Sequence, residues 1–250
     1  MVSIRAACHW NMRVLQPVDL LHGVDLRQPR QQRWLLTALA RWRPRLVVVG
    51  FPCTSFSILQ RNVNYKDRPE ELRERQQRDA PFLRLTREIF EGQLRRRAHC
   101  IVENPVASDA WTQEDIARIR KNNQTCEVTA SLCTFDLRGG QNQLMKKQVR
   151  FVTTHKYFAE ELNRQCDRSH EHEKVEGSNA QRSAAYPPDL ADAMCRAYRR
   201  VVQDEDFQRC AFWENGAPRA VNYADVIRDE QRWKPLLDQA QELLARKVQP

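Results

Sequence analysis

Cys53 and Glu103 are the residues whose types and settings point most directly to chemistry. Cys53 lies in Phe51-Pro52-Cys53-Thr54-Ser55-Phe56-Ser57, directly after the apolar run Leu46-Val47-Val48-Val49-Gly50. Glu103 lies in Glu103-Asn104-Pro105, directly after Cys100-Ile101-Val102. Each run reads as a buried parallel strand that empties into a loop. In open α/β sheets, loops beyond the carboxyl ends of such strands carry the chemistry. Pro52 stiffens the turn that presents the thiol. A thiol and a carboxyl brought to one sheet edge suggest covalent attack assisted by an acid. Each also has a plainer reading: Cys53 as a small side chain filling a strand end, and Glu103 as the cap of the helix that follows.

A second group of reactive side chains sits in Cys166-Asp167-Arg168-Ser169-His170-Glu171-His172, with Cys126 and Cys133 upstream on an alternating stretch. Cys133, Cys166, His170 and His172 make the set best suited to a zinc site of Cys2His2 type. The spacing matches no standard zinc finger, so solvated histidines are the alternative. A nuclease or hydrolase role for one of these histidines would need an acidic cluster nearby to hold a two-metal centre, and the sequence offers none there.

Positioning these groups falls to a chain of 250 residues, 41% hydrophobic, which can bury one sizeable core. The pattern predicts one α/β domain over residues 1–204 and a helical tail over residues 205–250. Short strands are expected at Ile4 to Cys8 and at Met12 to Leu15, followed by a strand running into a turn over Asp19 to Leu26. Pro29 to Trp42 reads as an amphipathic helix with Trp34, Leu35, Ala38, Leu39 and Trp42 on its apolar face. It leads to the Cys53 strand, so that strand, helix and strand make a right-handed crossover. Gln60 to Arg68 is a polar loop, and Pro69 to Arg97 a long helical region that Pro81 should kink or divide. Ser108 and Asp109 cap a helix running to about Lys121. Cys126 to Leu132 and Gln148 to Thr154 read as strands joined by a hairpin-like connection through Gly139-Gly140. A short helix starts at Phe158, Lys174 to Ser183 is a polar loop, and a helix runs from Pro188 to about Gln203. Asn222 to Lys247 carries an apolar stripe that packs on the domain or binds a neighbouring protein segment.

Lys and Arg number 41 against 32 Asp and Glu, a net charge of +9 that suits a polyanionic partner, nucleic acid above all. A solvated basic surface is the alternative. Eight cysteines with no secretory leader predict reduced thiols in an intracellular compartment. No apolar run approaches the length of a membrane span.

The Pro52-Cys53 loop with its Phe56-Ser57 and the Glu103-Asn104 pair together resemble the DNA cytosine-5 methyltransferase family. More narrowly, the chain resembles a methyltransferase-like segment of dinoflagellate retroelement-type polyproteins. The motifs that carry this run in the same order: Phe51 to Ser57, Glu103-Asn104-Pro105, Lys146-Lys147-Gln148-Val149-Arg150-Phe151, and Cys166 to His172. The match spans roughly residues 17 to 200. It implies a Rossmann-like methyltransferase core, a mostly parallel sheet flanked by helices. It implies that Cys53 adds to C6 of a cytosine in DNA while Glu103 holds a proton at N3, with Arg150 contacting the base. S-adenosylmethionine would supply the methyl group, with Asp25 and Asn104 at the cofactor; a turn-forming Asp25 is the alternative. With a DNA partner the expected compartment is the nucleus. Only Gly23 and Gly50 precede Cys53 and no Phe-x-Gly-x-Gly pattern is present, so the expected core lacks the N-terminal cofactor loop. Two other readings follow: a catalytically inactive nucleic-acid-binding module of a mobile-element polyprotein, and a protein-interaction domain.

Overall fold

A computed structural model describes residues 6 and 9–211 of the chain. The expected strand at Ile4 to Cys8 falls largely outside the described residues, and the helical stretch Asn222 to Lys247 entirely so. Met12 to Leu15 adopts no regular structure. Asp19 to Leu26 is a turn and not a strand, because the Asp19 carbonyl accepts from both His22 N and Val24 N, at 2.9 and 3.2 Å. Helix α1, Pro29–Trp42, begins with proline in its first turn and ends where Arg43 turns left-handed at φ 48°. It buries Leu35, Ala38 and Leu39, while Trp34 is exposed instead of joining that face.

Strand β1, Leu46–Gly50, leads through the Cys53 loop and one turn of π-helix at Gln60–Asn64 into helix α2, Pro69–Arg95. α2 runs continuously through Pro81. The carbonyl that loses its donor there belongs to Gln77, which is exposed, so water can replace the missing hydrogen bond. Strand β2, His99–Pro105, follows, then a 3-10 turn at Asp109–Thr112 whose cap Ser108 accepts from Ala110 N, then helix α3, Glu114–Arg120. Strands β3, Cys126–Ser131, and β4, Gln148–Thr153, precede helices α4, Lys156–Leu162, α5, Ser178–Arg182, and α6, Pro188–Ala211. α5 lies within the expected polar loop, and α6 continues unbroken past residue 204.

The four strands form an open mixed sheet in the order β1-β2-β4-β3. β1 and β2 are parallel, joined by the α2 crossover, while β4 is antiparallel to both β2 and β3. The expectation of a mostly parallel sheet is therefore corrected: one pairing of three is parallel. β4 returns between β2 and β3 through a connection that carries only the 3-10 turn Leu132–Phe135 and no α-helix, unlike the helical crossover that joins the parallel pair. β1 is also an edge strand of this sheet and only half-buried, while β2 is the buried inner strand.

Alternation along β2 divides the core. Cys100 and Val102 face Leu35, Leu39, Phe90, Trp111 and Ile116, under α1, α2 and α3. Ile101 faces Phe151, Phe158, Leu162, Leu190 and Met194, under α4 and α6. Among the described residues no helix is long and apolar enough to cross a membrane.

Phe151 sits on the inner strand β4 with no exposed surface. Phe151→Ala should therefore cost about 3–5 kcal/mol, read as a lower urea midpoint. A loss under about 1 kcal/mol would show that this second core does not hold the sheet.

Candidate functional site

The register of β1 against β2 builds the site. Gly50 pairs with Glu103, so the carboxyl lies beside the last residue of β1, three positions before Cys53. Glu103 is buried, and one of its oxygens, Oε2, accepts a 2.7 Å hydrogen bond from the hydroxyl of Tyr186. A Cβ on Gly50 would lie 3.0 Å from that hydroxyl and 3.8 Å from the carboxylate oxygen, so the pair occupies space a side chain would take. The other oxygen, Oε1, is buried without a hydrogen-bond partner.

Burial pushes the Glu103 carboxyl up from its ordinary range, against a downward pull from Tyr186 and from Lys147. Lys147 stands just before β4 and donates to the Ser183 carbonyl at 2.7 Å. Cys53 is half-buried at the start of a 3-10 turn, Thr54–Phe56. Burial pushes its thiol up, the Lys147 ammonium pulls it down, and Glu103 pushes it further up. The Tyr186 hydroxyl is raised well above its usual value by burial, then by Glu103 and by Cys53. Cys53, Glu103, Lys147 and Tyr186 thus lie within electrostatic reach of one another at the carboxyl ends of β1 and β2.

The loop bearing the thiol is fixed from several sides. Phe51 and Phe56 are buried, and Phe51 meets Trp111 edge-on at 6.1 Å. Ser55 Oγ hydrogen-bonds the Asp79 carboxylate, and Gln76 Nε2 donates to the Ser55 carbonyl at 3.2 Å, both from α2. Asn104 is buried and its Nδ2 donates to the Phe51 carbonyl at 2.8 Å. That bond makes Asn104 a positioning residue for the Pro52-Cys53 turn.

Arg150 does not join Cys53 and Glu103. It pairs across the sheet with Asn104, whereas Glu103 pairs with Phe151, so Arg150 projects from the opposite face. There its guanidinium lies over Trp111 at 5.4 Å and its Nε is 3.1 Å from Glu127 Oε1. Asp25 is bound by Arg27, 2.8 Å from its Nε, and accepts from Arg27 N at 3.1 Å, which is the turn-forming arrangement. An open surface concavity between α2 and α3 contains none of these groups. Glu91 in its wall is already met by Arg87, Arg95 and Arg118.

The cysteine and histidine group named from sequence does converge. Ligating atoms of Cys133, Cys166, His170 and His172 all lie within 4.8 Å of one another. Cys133 comes from the turn after β3, Leu132–Phe135, and the other three from the loop after α4. Burial and the neighbouring Cys166 push the Cys133 thiol up to about 11.

Lys147 and Tyr186 join the Cys53 group in roles the sequence did not suggest: Lys146 and Lys147 read there as phosphate contacts or as ordinary strand charges, and Tyr186 as a residue before a helix, with no local signal that it meets Glu103. No protein-family model, no curated protein and no solved structure matches this chain.

A carboxyl whose folded-state pKa lies above the ordinary 4.5 favours the folded state most fully below that value. Its contribution is lost as pH rises through the raised value. Glu103→Gln removes this dependence and keeps an oxygen for Tyr186. The variant should gain stability relative to the parent protein between acidic and neutral pH, measured by urea unfolding at both. A difference that does not change with pH would show that Glu103 is not held toward its neutral form.

Proposed function

We propose that this chain is a DNA cytosine-5 methyltransferase-like domain that engages a pyrimidine base of nucleic acid through Cys53 and Glu103. The observation that carries this reading is the Glu103 carboxyl: held toward its neutral form, with one oxygen taken by Tyr186 and the other without a partner, in electrostatic reach of a half-buried thiol. A neutral carboxyl can donate a proton to N3 of a pyrimidine, which withdraws electrons from C6. The sulfur then forms a bond to C6, the C5–C6 π pair shifts to C4–C5, the C4–N3 π pair settles on N3, which keeps the Glu103 proton, and the thiol proton replaces it on the carboxylate. The sum is addition of the thiol to the base. Lys147 favours the thiolate through this step, and Asn104 holds the turn that aims it.

A base inside a duplex hides C6, so the target must leave the stack. The segment after Cys53 suits that requirement. Ile58, Leu59 and Val63 are exposed apolar side chains, followed by Lys66 and Arg68. Apolar wedges enter base steps, and basic side chains meet phosphates. Tyr65 is held between Arg68 and Arg75, whose guanidinium carbons lie 5.1 and 5.0 Å from its ring centre.

S-adenosylmethionine does not fit the residues present. Asp25 is paired with Arg27 and Asn104 Nδ2 with the Phe51 carbonyl, while Asn104 Oδ1 is buried without a partner, and residues 1–52 contain only Gly23 and Gly50. That mismatch favours a second reading, a nucleic-acid-binding module of a mobile-element polyprotein that holds the base without transferring a methyl group.

A duplex carrying 5-azacytosine tests both, because protonation at its ring N5 traps the thiol adduct without any methyl donor. The expected result is a denaturation-resistant adduct seen by mass spectrometry and absent in Cys53→Ser. Glu103→Gln should form it at least about 100-fold more slowly. Salt-sensitive retention of the duplex with no adduct supports the binding module instead. No retention even at low salt defeats both readings.

A further inference from the structure

We propose that Cys133, Cys166, His170 and His172 hold one zinc ion in a closed tetrahedral site that staples the segment after α4 onto the β3–β4 connection. Such a site is independent of the pyrimidine reading. With Zn–S near 2.3 Å and Zn–N near 2.0–2.1 Å, a tetrahedral ion requires its ligand atoms to stand roughly 3.3–3.8 Å apart. Cys166 Sγ lies 3.7 Å from His170 Nε2 and 3.5 Å from His172 Nε2, and all four atoms fall within 4.8 Å. The ligands therefore need only small shifts to close on an ion. Thiolate and imidazole select zinc over magnesium or calcium, which take oxygen ligands. Four protein ligands leave no open position, so the ion is structural and activates no water.

The surrounding turn is shaped for ligation. Arg168 N donates to Cys166 Sγ at 3.3 Å, a contact that orients the sulfur. Asp167 Oδ1 accepts from Ser169 N and Ser169 Oγ at 2.9 and 2.7 Å. Arg168 adopts φ 64°, a left-handed turn between Cys166 and the two histidines. Those histidines meet ring to ring at 4.5 Å.

An ion would tie down the turn from Cys166 to His172, in which Arg168 N and Ser169 N bond within the turn itself. Between Leu162 and Ser178 there is no helix or strand, apart from one isolated bridge between Met145 and Glu173. Beyond His172 the segment is tied by polar contacts: Glu173 N donates to the Leu144 carbonyl at 2.8 Å, and the Glu173 carboxylate accepts from Gln141 N at 2.6 Å. Asn179 Oδ1 accepts from Gly140 N at 2.9 Å, and the Ser183 carbonyl accepts from Lys147. Ahead of Cys166 the segment is tied to β3, where the Arg164 carbonyl accepts from Ser131 N at 2.8 Å and Gln165 Nε2 donates to Thr129 Oγ1 at 3.2 Å, so an ion bound by Cys133, Cys166, His170 and His172 clamps the turn between these two sets of bonds.

The full chain, purified under reducing conditions, tests this by metal analysis and by cobalt substitution. The expected result is one zinc per chain, and a cobalt form with the intense visible bands of a tetrahedral site and thiolate-to-cobalt charge transfer. Cys166→Ala and His172→Ala should lose the ion, while His22→Ala, at an exposed site away from the group, should keep it. Stripping with a chelator should lower amide-exchange protection across residues 166–172 and leave it intact in β1 and β2. Absence of stoichiometric metal, cobalt binding without charge transfer, a Cys133–Cys166 disulfide, or unchanged exchange after stripping would each overturn the proposal. If the ligand variants fail to fold, the cobalt spectrum of the parent protein still decides.

Discussion

The parallel pairing of Gly50 with Glu103 is the constraint on which the rest of the site depends. It sets a carboxyl against a backbone position with no side chain, and the Tyr186 hydroxyl uses the room. A register slip of one residue would turn Glu103 to the opposite sheet face, among Leu39, Phe90 and Trp111. There a carboxyl would have neither the tyrosine nor the lysine. Glu103 discriminates the register more than the apolar runs do, because each face of the sheet is covered by helices and a slipped pairing puts its carboxyl into an apolar core.

That two-sidedness also separates the motifs. Neighbouring residues of β2 serve different purposes: Glu103 faces Tyr186, while Asn104 faces the other side and fixes the Phe51 carbonyl. Arg150, opposite Asn104, belongs with Trp111, Arg120 and Glu127 in a network that ties α3 to the sheet. Its neighbour in sequence order that matters for the thiol is Lys147, which lies ahead of the strand and escapes its alternation. One short basic stretch, Lys146 to Arg150, thus supplies one charge to the candidate site and another to the framework.

The elements whose signals are local were legible in the sequence. Proline at the start of α1, the apolar spacing of Leu35, Ala38 and Leu39, and the strand runs ending at Gly50 and Glu103 all depend on nearest neighbours along the chain. The convergence of Cys133 with Cys166, His170 and His172 was also readable, because three of the four ligands share one loop. What was not legible depends on sheet order. Nothing near β1 reveals that it lies at an edge, nor that β4 inserts antiparallel between β2 and β3. Lys147 and Tyr186 reach Glu103 only through that insertion and through the long return to α6. In the reading of Asp19 to Leu26 as a strand running into a turn, the strand part failed for a different reason: the stretch is rich in apolar residues, but the Asp19 carbonyl bonds locally and closes a turn.

Burial sets the electrostatic character of the candidate site more than charge does. Cys53, Glu103 and Tyr186 are all pushed toward their neutral forms by the same loss of water, and Lys147 is the one cation acting on both the thiol and the carboxyl. Each shift favours the uncharged form, which suits a buried setting. It also leaves the sulfur a poor nucleophile at rest, since the thiolate is the reactive form. Under the pyrimidine reading the ligand supplies what is missing. When the ring nitrogen takes the Glu103 proton, the carboxylate left behind becomes the acceptor for the thiol proton, so no uncompensated charge persists beside the buried groups. The burial that quiets Cys53 toward solvent is then the same burial that makes Glu103 an acid.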